Sequence, residues 1–178
     1  MHRYLVVANQ TLGGDQLLTA IRDHMAEGPC HFHLLVPATA AGDLDPEYLA
    51  RATEAAAARS AAAAAERQQA RQLLEDELDE VGHAEPGEDP GRQLARERLQ
   101  HELARLRELG AEASGEVGVA DPFEAIEVVL HRWEFDAIIL STLPGRKSRW
   151  LARDLPSRVR RAFKLPVTHV TGPSGPTD

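Results

Sequence analysis

Three short runs of apolar residues constrain the fold of this chain more than any other feature. They span Arg3–Ala8, His31–Val36 and Phe135–Leu140, and polar or turn-forming residues follow each of them. Runs without polar alternation are typical of strands that are covered on both faces. Parallel sheets have this property, and their strands are joined by crossover helices. The runs therefore predict an α/β fold around a buried parallel sheet.

Amphipathic helical patterns connect these strands. The first begins after Asp15, the predicted N-cap, and ends at Gly28-Pro29; the second spans Arg92–Leu109 and ends at Gly110. The apolar residues of each recur at helical spacing: Leu17, Leu18, Ile21 and Met25 in the first, and Ala95, Leu99, Leu103 and Leu106 in the second. We expect both apolar faces to pack on the sheet.

The second half of the chain continues the alternation. Ala111–Val119 has the pattern of an edge strand, Asp121–Glu124 forms a capping box, Asp154 is a predicted helix cap, and Pro166–Thr171 is the last strand. The predicted inward-facing residues of the last two helices are Phe123, Ile126, Val129 or Leu130, Trp133, Val159 and Phe163. The complete order predicts an open five-stranded parallel sheet with helices on both faces.

The chain is predicted to form one domain, residues 1–178, interrupted by a helical insertion at residues 38–91. Within it, Glu47–Glu80 is rich in Ala and contains no Gly or Pro, and its centre has no large apolar residue. Such a helix has high intrinsic propensity but little surface to bury, which indicates a projecting arm or helical hairpin. Gly82–Gly91 reads as a turn-rich linker, and residues 172–178 as a flexible tail.

Composition narrows the class of protein. The net charge of −8 argues against binding nucleic acid or membranes through bulk charge, and an aromatic content of 4% argues against a stacking platform for single strands. The single cysteine, Cys30, cannot form an intramolecular disulfide. Without a signal peptide or a long apolar run, we expect a cytoplasmic protein.

Two loops are expected to flank a ligand crevice, because ligands of open α/β sheets lie outside the carboxyl ends of the strands. One loop follows the first strand and the other follows the fourth, where Arg146, Lys147 and Arg149 surround Ser148, a candidate N-cap. A basic loop before a helix start can hold a phosphate or carboxylate, although a solvated basic turn is an alternative. The candidate ligand-binding residues are Asn9, Gln10, Thr11, Pro37, Ser141, Thr142, Gly145, Arg146, Lys147, Ser148 and Arg149.

Other chemistry finds little support in the sequence. His31 and His33 share one face of the second strand and His169 lies on the last, but no carboxylate or Cys at suitable spacing completes a metal site. Cys30 is expected to be a small packed residue. No Gly-x-Ser-x-Gly or other pairing of nucleophile and base is present, so the sequence predicts no catalytic residues.

Several motifs resemble the universal stress protein family. The resemblance covers Tyr4–Pro37 and Arg92–Thr171, and its most specific parts are Ala120–Ile126, Asp136–Leu140, Arg158-Val159 and Leu165–Val170. It implies a flavodoxin-like sheet of strand order 3-2-1-4-5 and a homodimer formed along the last strand, through Val167, His169 and Val170. Many members of the family bind ATP, and others do not.

The resemblance is incomplete where ATP-binding members hold the nucleotide. Those members have an Asp at the end of the first strand, where this chain has Asn9. They have Gly-x-x-Gly, nine residues and then Gly-Ser or Gly-Thr after the fourth strand; here Ser141–Pro144, eight residues and then Arg153-Asp154 occupy these places. Because glycine permits positive φ and a close approach to phosphate, the loop has either another shape or another ligand.

The sequence leaves two principal interpretations. In the first, the chain is a non-catalytic regulatory protein that binds ATP, AMP or another phosphate-bearing anion. In the second, it is a ligand-free dimeric scaffold that acts through its sheet edge, with the Ala-rich arm Glu47–Glu80 packed on a protein partner or on its twin. An ATPase is a more distant third, since no catalytic base or metal-binding carboxylate can be named near the loop.

Overall fold

A computed structural model describes residues 1–39, 90–144, 148–152 and 154–172, together with isolated residues between 50 and 65. The strands are β1 (His2–Val7), β2 (Cys30–Pro37), β3 (Glu112–Gly118), β4 (Ala137–Thr142) and β5 (Val167–Thr171). The helices are α1 (Asp15–Glu27), α2 (Pro90–Glu108), α3 (Pro122–Arg132), α4 (Arg149–Ala152) and α5 (Leu155–Ala162). Most of the predicted arm and linker, and the tail beyond Gly172, lie outside the described residues.

The five strands form one parallel sheet in the order β3-β2-β1-β4-β5, which confirms the predicted fold. The central strand β1 pairs with β2 on one side and with β4 on the other, so that Val7 is level with both Leu35 and Leu140. The strand order therefore reverses between β1 and β4. Ligands of open α/β sheets bind outside the carboxyl ends of the strands at such a switch point.

Each face of the sheet is covered by helices. On one face, Val6, Phe32 and Leu34 pack with α1 and α2; on the other, Leu5, Val7, Ile138 and Leu140 pack with α3 and α5. Successive side chains of a strand point to opposite faces, so burial on both sides requires apolar residues at consecutive positions. This explains the apolar runs, and it makes the strand ends the part of the sheet that is open to polar groups.

The end of α2 shows how a local signal stops an element. Gly110 has φ 81°, its N–H donates to the carbonyl of Arg107 at 2.9 Å, and the N–H of Ala111 donates to that of Leu106 at 2.9 Å. These two bonds satisfy carbonyls that the helix would otherwise leave free, in the Schellman arrangement that favours glycine. The predicted cap at Gly110 is therefore confirmed, and the chain turns directly into β3.

Several predicted boundaries are wrong by a few residues. Gly14, not Asp15, is the N-cap of α1, and α2 begins at Pro90, inside the predicted linker. Strand β4 continues through Ser141 and Thr142, because the ladder with β5 extends to Val170 and Thr171 irrespective of side-chain polarity.

Two predicted side-chain roles in the later helices also need correction. Trp133 was expected to face inward but is 49% exposed, since α3 ends at Arg132 and its helical face does not continue. Asp154 does occupy the N-cap of α5. It makes no side-chain cap, however: its backbone is left-handed, with φ 49°, and its carboxylate lies 3.5 Å from Arg161 instead.

Candidate functional site

A cleft opens at the switch point between β1 and β4. Its first wall comprises Asn9, Gln10 and Thr11 after β1 and Thr39 after β2. Its second wall comprises the polar end of β4 and the starts of α3, α4 and α5: Asp121, Ser141, Thr142, Leu143, Ser148, Trp150, Leu155 and Arg158. The cleft contains about 730 Å³ of space, counting the part that is open to solvent.

Asn9, at the centre of the first wall, is 4% exposed and is bonded to protein through both polar atoms of its side chain. Its Nδ2 donates to the carbonyl of Pro37 at 3.2 Å and to Oγ1 of Thr39 at 2.7 Å. Its Oδ1 accepts from Nη1 of Arg98, on α2. The amide thus links the ends of β1 and β2 to α2. Asn9 is placed at the cleft as predicted, but its side chain serves to hold the wall together.

The rest of the β1–α1 loop forms a tight turn. The N–H of Leu12 donates to the carbonyl of Asn9 at 3.1 Å, and that of Gly14 donates to the carbonyl of Thr11 at 3.0 Å. Thr11 is 2% exposed, and its Oγ1 makes no hydrogen bond within the described part of the chain. Gln10 is half-buried and lines the cleft. Of the predicted residues in this loop, Gln10 and Thr11 therefore remain candidates for ligand contact.

Pro37 is at the end of β2 but is not one of the residues that line the cleft. It is buried, and its carbonyl accepts from the backbone N–H of Thr39 at 2.8 Å and from Asn9. Thr39, two residues further on, reaches the cleft instead. The apolar run that ends at Pro37 shows where the strand ends. It does not show which of the following side chains lines the cleft.

The polar end of β4 forms the floor of the second wall. Ser141 and Thr142 are each 2% exposed, and Oγ1 of Thr142 lies 2.9 Å from Nε2 of His169 on β5. Burial, and secondarily the charge of Arg160, lowers the pKa of His169. Ser148 is buried and its Oγ accepts from the N–H of Leu151 at 3.2 Å, which confirms it as the cap of α4.

Arg158 is a cleft residue that the predicted set does not contain. It lies on the first turns of α5, is exposed, and has its guanidinium carbon 4.5 Å above the centre of the Phe123 ring. Asp121, the N-cap of α3, also lines the cleft; its Oδ1 accepts from the N–H groups of Phe123 at 2.9 Å and of Glu124 at 3.0 Å. Both residues belong to motifs of the family resemblance, and that is the signal that could have identified them.

The predicted basic loop is only partly described. Gly145, Arg146 and Lys147 lie outside the described residues, as does the side chain of Arg149. Their predicted contact with an anion stays a prediction. Among the cleft residues that are described, Arg158 carries the positive charge and Asp121 the negative charge.

A second polar cluster lies away from the cleft, on β2 and β3. Nδ1 of His33 is 2.9 Å from Oγ of Ser114, its Nε2 is 3.3 Å from Oε1 of Glu116, and Arg132 binds both oxygens of Glu116 at 2.8 and 2.7 Å. Burial lowers the pKa of His33. Within the described ranges, no group of three His, Cys, Asp or Glu side chains is arranged to hold a metal ion. This cluster joins the edge strand to α3.

No protein-family model and no curated protein matches the sequence. Among solved structures, this chain is similar to a universal stress protein from Archaeoglobus fulgidus, at 14% identity and a TM-score of 0.47, with 95% of this chain and 93% of that one covered. A likeness at this identity and TM-score does not extend to function.

Over the described residues, no helix is both long and apolar enough to cross a bilayer.

Proposed function

We propose that this chain is a non-catalytic protein that binds a small phosphate-bearing anion, such as a nucleotide, in the cleft between β1 and β4. The observation that carries the proposal is the position of Arg158, stacked on Phe123 at the second wall of a cleft that lies at the switch point of the sheet. Open α/β sheets use this place for ligands irrespective of their activity.

The stacking of Arg158 suits it to anion recognition. A guanidinium group presents planar N–H donors that match phosphate and carboxylate oxygens, and an aromatic ring beneath it limits its movement. Less conformational freedom is then lost when the ligand binds. The carboxylate of Asp121 also lines the cleft but accepts from the N–H groups of Phe123 and Glu124, so the charge of Arg158 favours an anionic ligand over a neutral one.

The neighbouring groups fit a ligand with a planar or apolar part. Trp150 is half-buried and Leu143 and Leu155 are buried, so the second wall contains an apolar surface beside the cation. Small-molecule sites usually combine such a surface with a few polar groups that fix orientation. Trp150 could stack on a base, whereas Gln10 and Thr39 lie across the cleft as hydrogen-bonding groups.

Intrinsic fluorescence gives a direct test, because Trp150 lies in the cleft and the other tryptophan, Trp133, lies outside it. Trp133→Phe leaves Trp150 as the sole reporter. This protein would be titrated with ATP, ADP, AMP, a cyclic nucleotide and inorganic phosphate, and calorimetry of the wild-type chain would check the affinities. The same titrations with Arg146→Ala/Lys147→Ala test the contribution of the basic loop.

Arg158→Gln in this background tests the charge contact, with Arg160→Gln as the matched control, since Arg160 is exposed on the same helix and does not line the cleft. We expect saturable binding that Arg158→Gln weakens about tenfold, the usual effect of losing a hydrogen bond to a charged group. Absence of a fluorescence change and of heat up to about 1 mM of every ligand would exclude the proposal.

We also propose homodimerisation along β5, through Val167, His169 and Val170, as the family resemblance implies. In the described sheet, β5 pairs only with β4, so its other edge is open to a second strand. Light scattering after size exclusion would give the molar mass in solution. A monomer at about 100 μM would contradict this proposal without affecting the first.

A further inference from the structure

A polar face of α2 is turned towards the β1–α1 loop. Arg98, Glu102 and Arg105 are separated by four and three residues, so they lie on one side of the helix. Glu102 is only 2% exposed, Arg98 is half-buried, and the Arg105 side chain is 34% exposed. Charged side chains are seldom buried on an amphipathic helix unless they have partners. Their partners are therefore informative.

Both arginines bind the loop that forms the first wall of the cleft. Nη1 of Arg98 donates to Oδ1 of Asn9, and its Nε donates to the carbonyl of Leu94 at 3.1 Å, which fixes the guanidinium against its own helix. Nη1 of Arg105 donates to the carbonyl of Gly13 at 2.9 Å. The two contacts are at opposite ends of the loop, and Gln10 and Thr11 lie between them.

Glu102 belongs to the same contact. One of its carboxylate oxygens is 4.0 Å from Nη1 of Arg105, and the other, Oε1, has no hydrogen-bond partner within the described residues. A carboxylate beside the guanidinium restricts the positions that Arg105 can take, which helps to hold it on the carbonyl of Gly13. The three residues thus act on the loop as one group.

We propose that Arg98 and Arg105 are positioning residues for the ligand site: from outside the cleft, they fix the β1–α1 loop so that Gln10 and Thr11 meet the ligand. Neither arginine lines the cleft. A loop that is already ordered loses less freedom when a ligand binds, so a site held in this way has the higher affinity. The consequence for affinity rests on the proposed function; the fixing of the loop does not.

The test uses Arg98→Gln, Arg105→Gln and the double variant, in the Trp133→Phe background. Arg107→Gln is the matched control, because Arg107 lies on the same last turns of α2 and its side chain is exposed. Arg105→Lys is the conservative variant, since an ammonium group can still donate to the carbonyl of Gly13. The side chain of Arg105 is partly exposed, so the single variant Arg105→Gln serves as the readout if the double variant does not fold.

Two measurements distinguish an effect on the order of the loop from an effect on ligand affinity. Amide hydrogen exchange without ligand reports on Leu12 and Gly14, whose N–H groups bond within the loop. Titration with ATP, followed through Trp150, reports the affinity. We expect exchange at these two amides to be about tenfold faster in the double variant and ATP affinity to be about tenfold weaker, the order of magnitude of a lost charged hydrogen bond. Arg107→Gln should match the parent, and Arg105→Lys should recover most of the affinity lost in Arg105→Gln.

Each other outcome overturns a distinct statement. Equal exchange in the double variant and Arg107→Gln would show that the arginines do not fix the loop. Faster exchange with unchanged ATP affinity would overturn the positioning role while leaving the proposed function intact. Faster exchange in a chain that binds no ATP would instead refute ATP binding and support the fixing of the loop.

Discussion

The two walls of the cleft use their polar groups differently. On the first wall, Asn9 is buried and both its polar side-chain atoms bind protein, and α2 holds the loop at Asn9 and Gly13. On the second wall, the side chain of Arg158 is exposed and stacks on the face of Phe123. One wall is built as a rigid support, and the other presents a charge to the cleft.

This difference separates the residues that set stability from those that would set affinity. A buried amide with protein partners on every side contributes to folding, because its loss leaves several groups without bonds. An exposed cation contributes little to folding but can meet an anion at small cost. Substitutions on the first wall should therefore act mainly on the free energy of unfolding, and those on the second mainly on binding.

The largest effect is expected on the first wall, from Asn9→Leu. The change removes the bonds to Pro37 and Thr39 and takes one acceptor away from the half-buried guanidinium of Arg98. We expect the free energy of unfolding to fall by about 3 kcal/mol, measured by urea denaturation. Asn9→Asp keeps the acceptor for Arg98 and should lose less. A loss below about 1 kcal/mol for Asn9→Leu would mean that the wall does not depend on this amide.

Glu102→Gln tests whether the buried charge of Glu102, behind the first wall, lowers the free energy of unfolding. Burial raises the pKa of Glu102 above its ordinary value of 4.5, with Arg105 acting in the opposite direction. As the pH rises, the carboxyl of Glu102 therefore loses its proton in the unfolded state before it does so in the folded state. The raised pKa stabilises the folded protein at acid pH, and this stabilisation is lost as the pH rises from about 4.5 through the folded-state pKa.

We expect Glu102→Gln to be more stable than the parent by about 1 kcal/mol at pH 7, and the difference to become smaller at pH 4. Urea denaturation at the two pH values would measure it. Glu108→Gln is the control, because Glu108 is exposed at the end of α2. A less stable Glu102→Gln at pH 7 would show that the contact with Arg105 outweighs the burial of the charge.

A substitution of Phe123, whose ring lies under Arg158, tests the contribution of the second wall to binding. Phe123→Leu removes the ring under the guanidinium, which then loses its fixed position. We expect a three- to fivefold loss of ATP affinity, about 1 kcal/mol, as for a cation–π contact of moderate exposure. Phe163→Leu is the matched control, since it disturbs the contact between the Phe123 and Phe163 rings, whose centroids are 5.3 Å apart, but keeps the Phe123 ring under Arg158. Equal losses in the two variants would assign the effect to packing.

The sheet could be predicted because its signal is local and repeated. Strands such as β1, covered by helices on both faces, need apolar residues at every position, and this pattern is visible in a single sequence. Gly110 and Ser148 were predictable for a related reason: a helix end has few chemical solutions, and each has its own residue type.

The contacts of the site could not be predicted in the same way. Arg98 meets Asn9 across 89 residues and Arg105 meets Gly13 across 92, and nothing in the sequence distinguishes them from Arg107, which is exposed. The start of α5 at Asp154 was predicted, but the packing of Arg158 on Phe123 was not, because that contact joins two different helices and depends on how they pack.

The smallest expected effect is a change in the pH dependence of stability, and it concerns His169, which contacts Thr142 at the end of β4. Burial holds the pKa of His169 below its ordinary value of 6.5, so the unfolded state takes up a proton first as the pH falls. The stability linked to the neutral imidazole is present above pH 6.5 and is lost as the pH falls through the lower folded-state pKa. No histidine takes part in the contacts that α2 makes with the first wall among the described residues, so acid should loosen the walls unequally.

His169→Gln isolates this contribution, because His31 and His33 have pKa values lowered in the same direction and remain in the variant. Thermal unfolding between pH 7 and 5 should show a shallower loss of stability in His169→Gln than in the parent. Exchange of the Gly172 amide, which donates to the carbonyl of Thr142 at 3.1 Å, provides a local readout beside the second wall. Identical pH dependence of stability and of this amide in both proteins would show that His169 does not tie the floor of the cleft to β5, and that the two walls respond alike to acid.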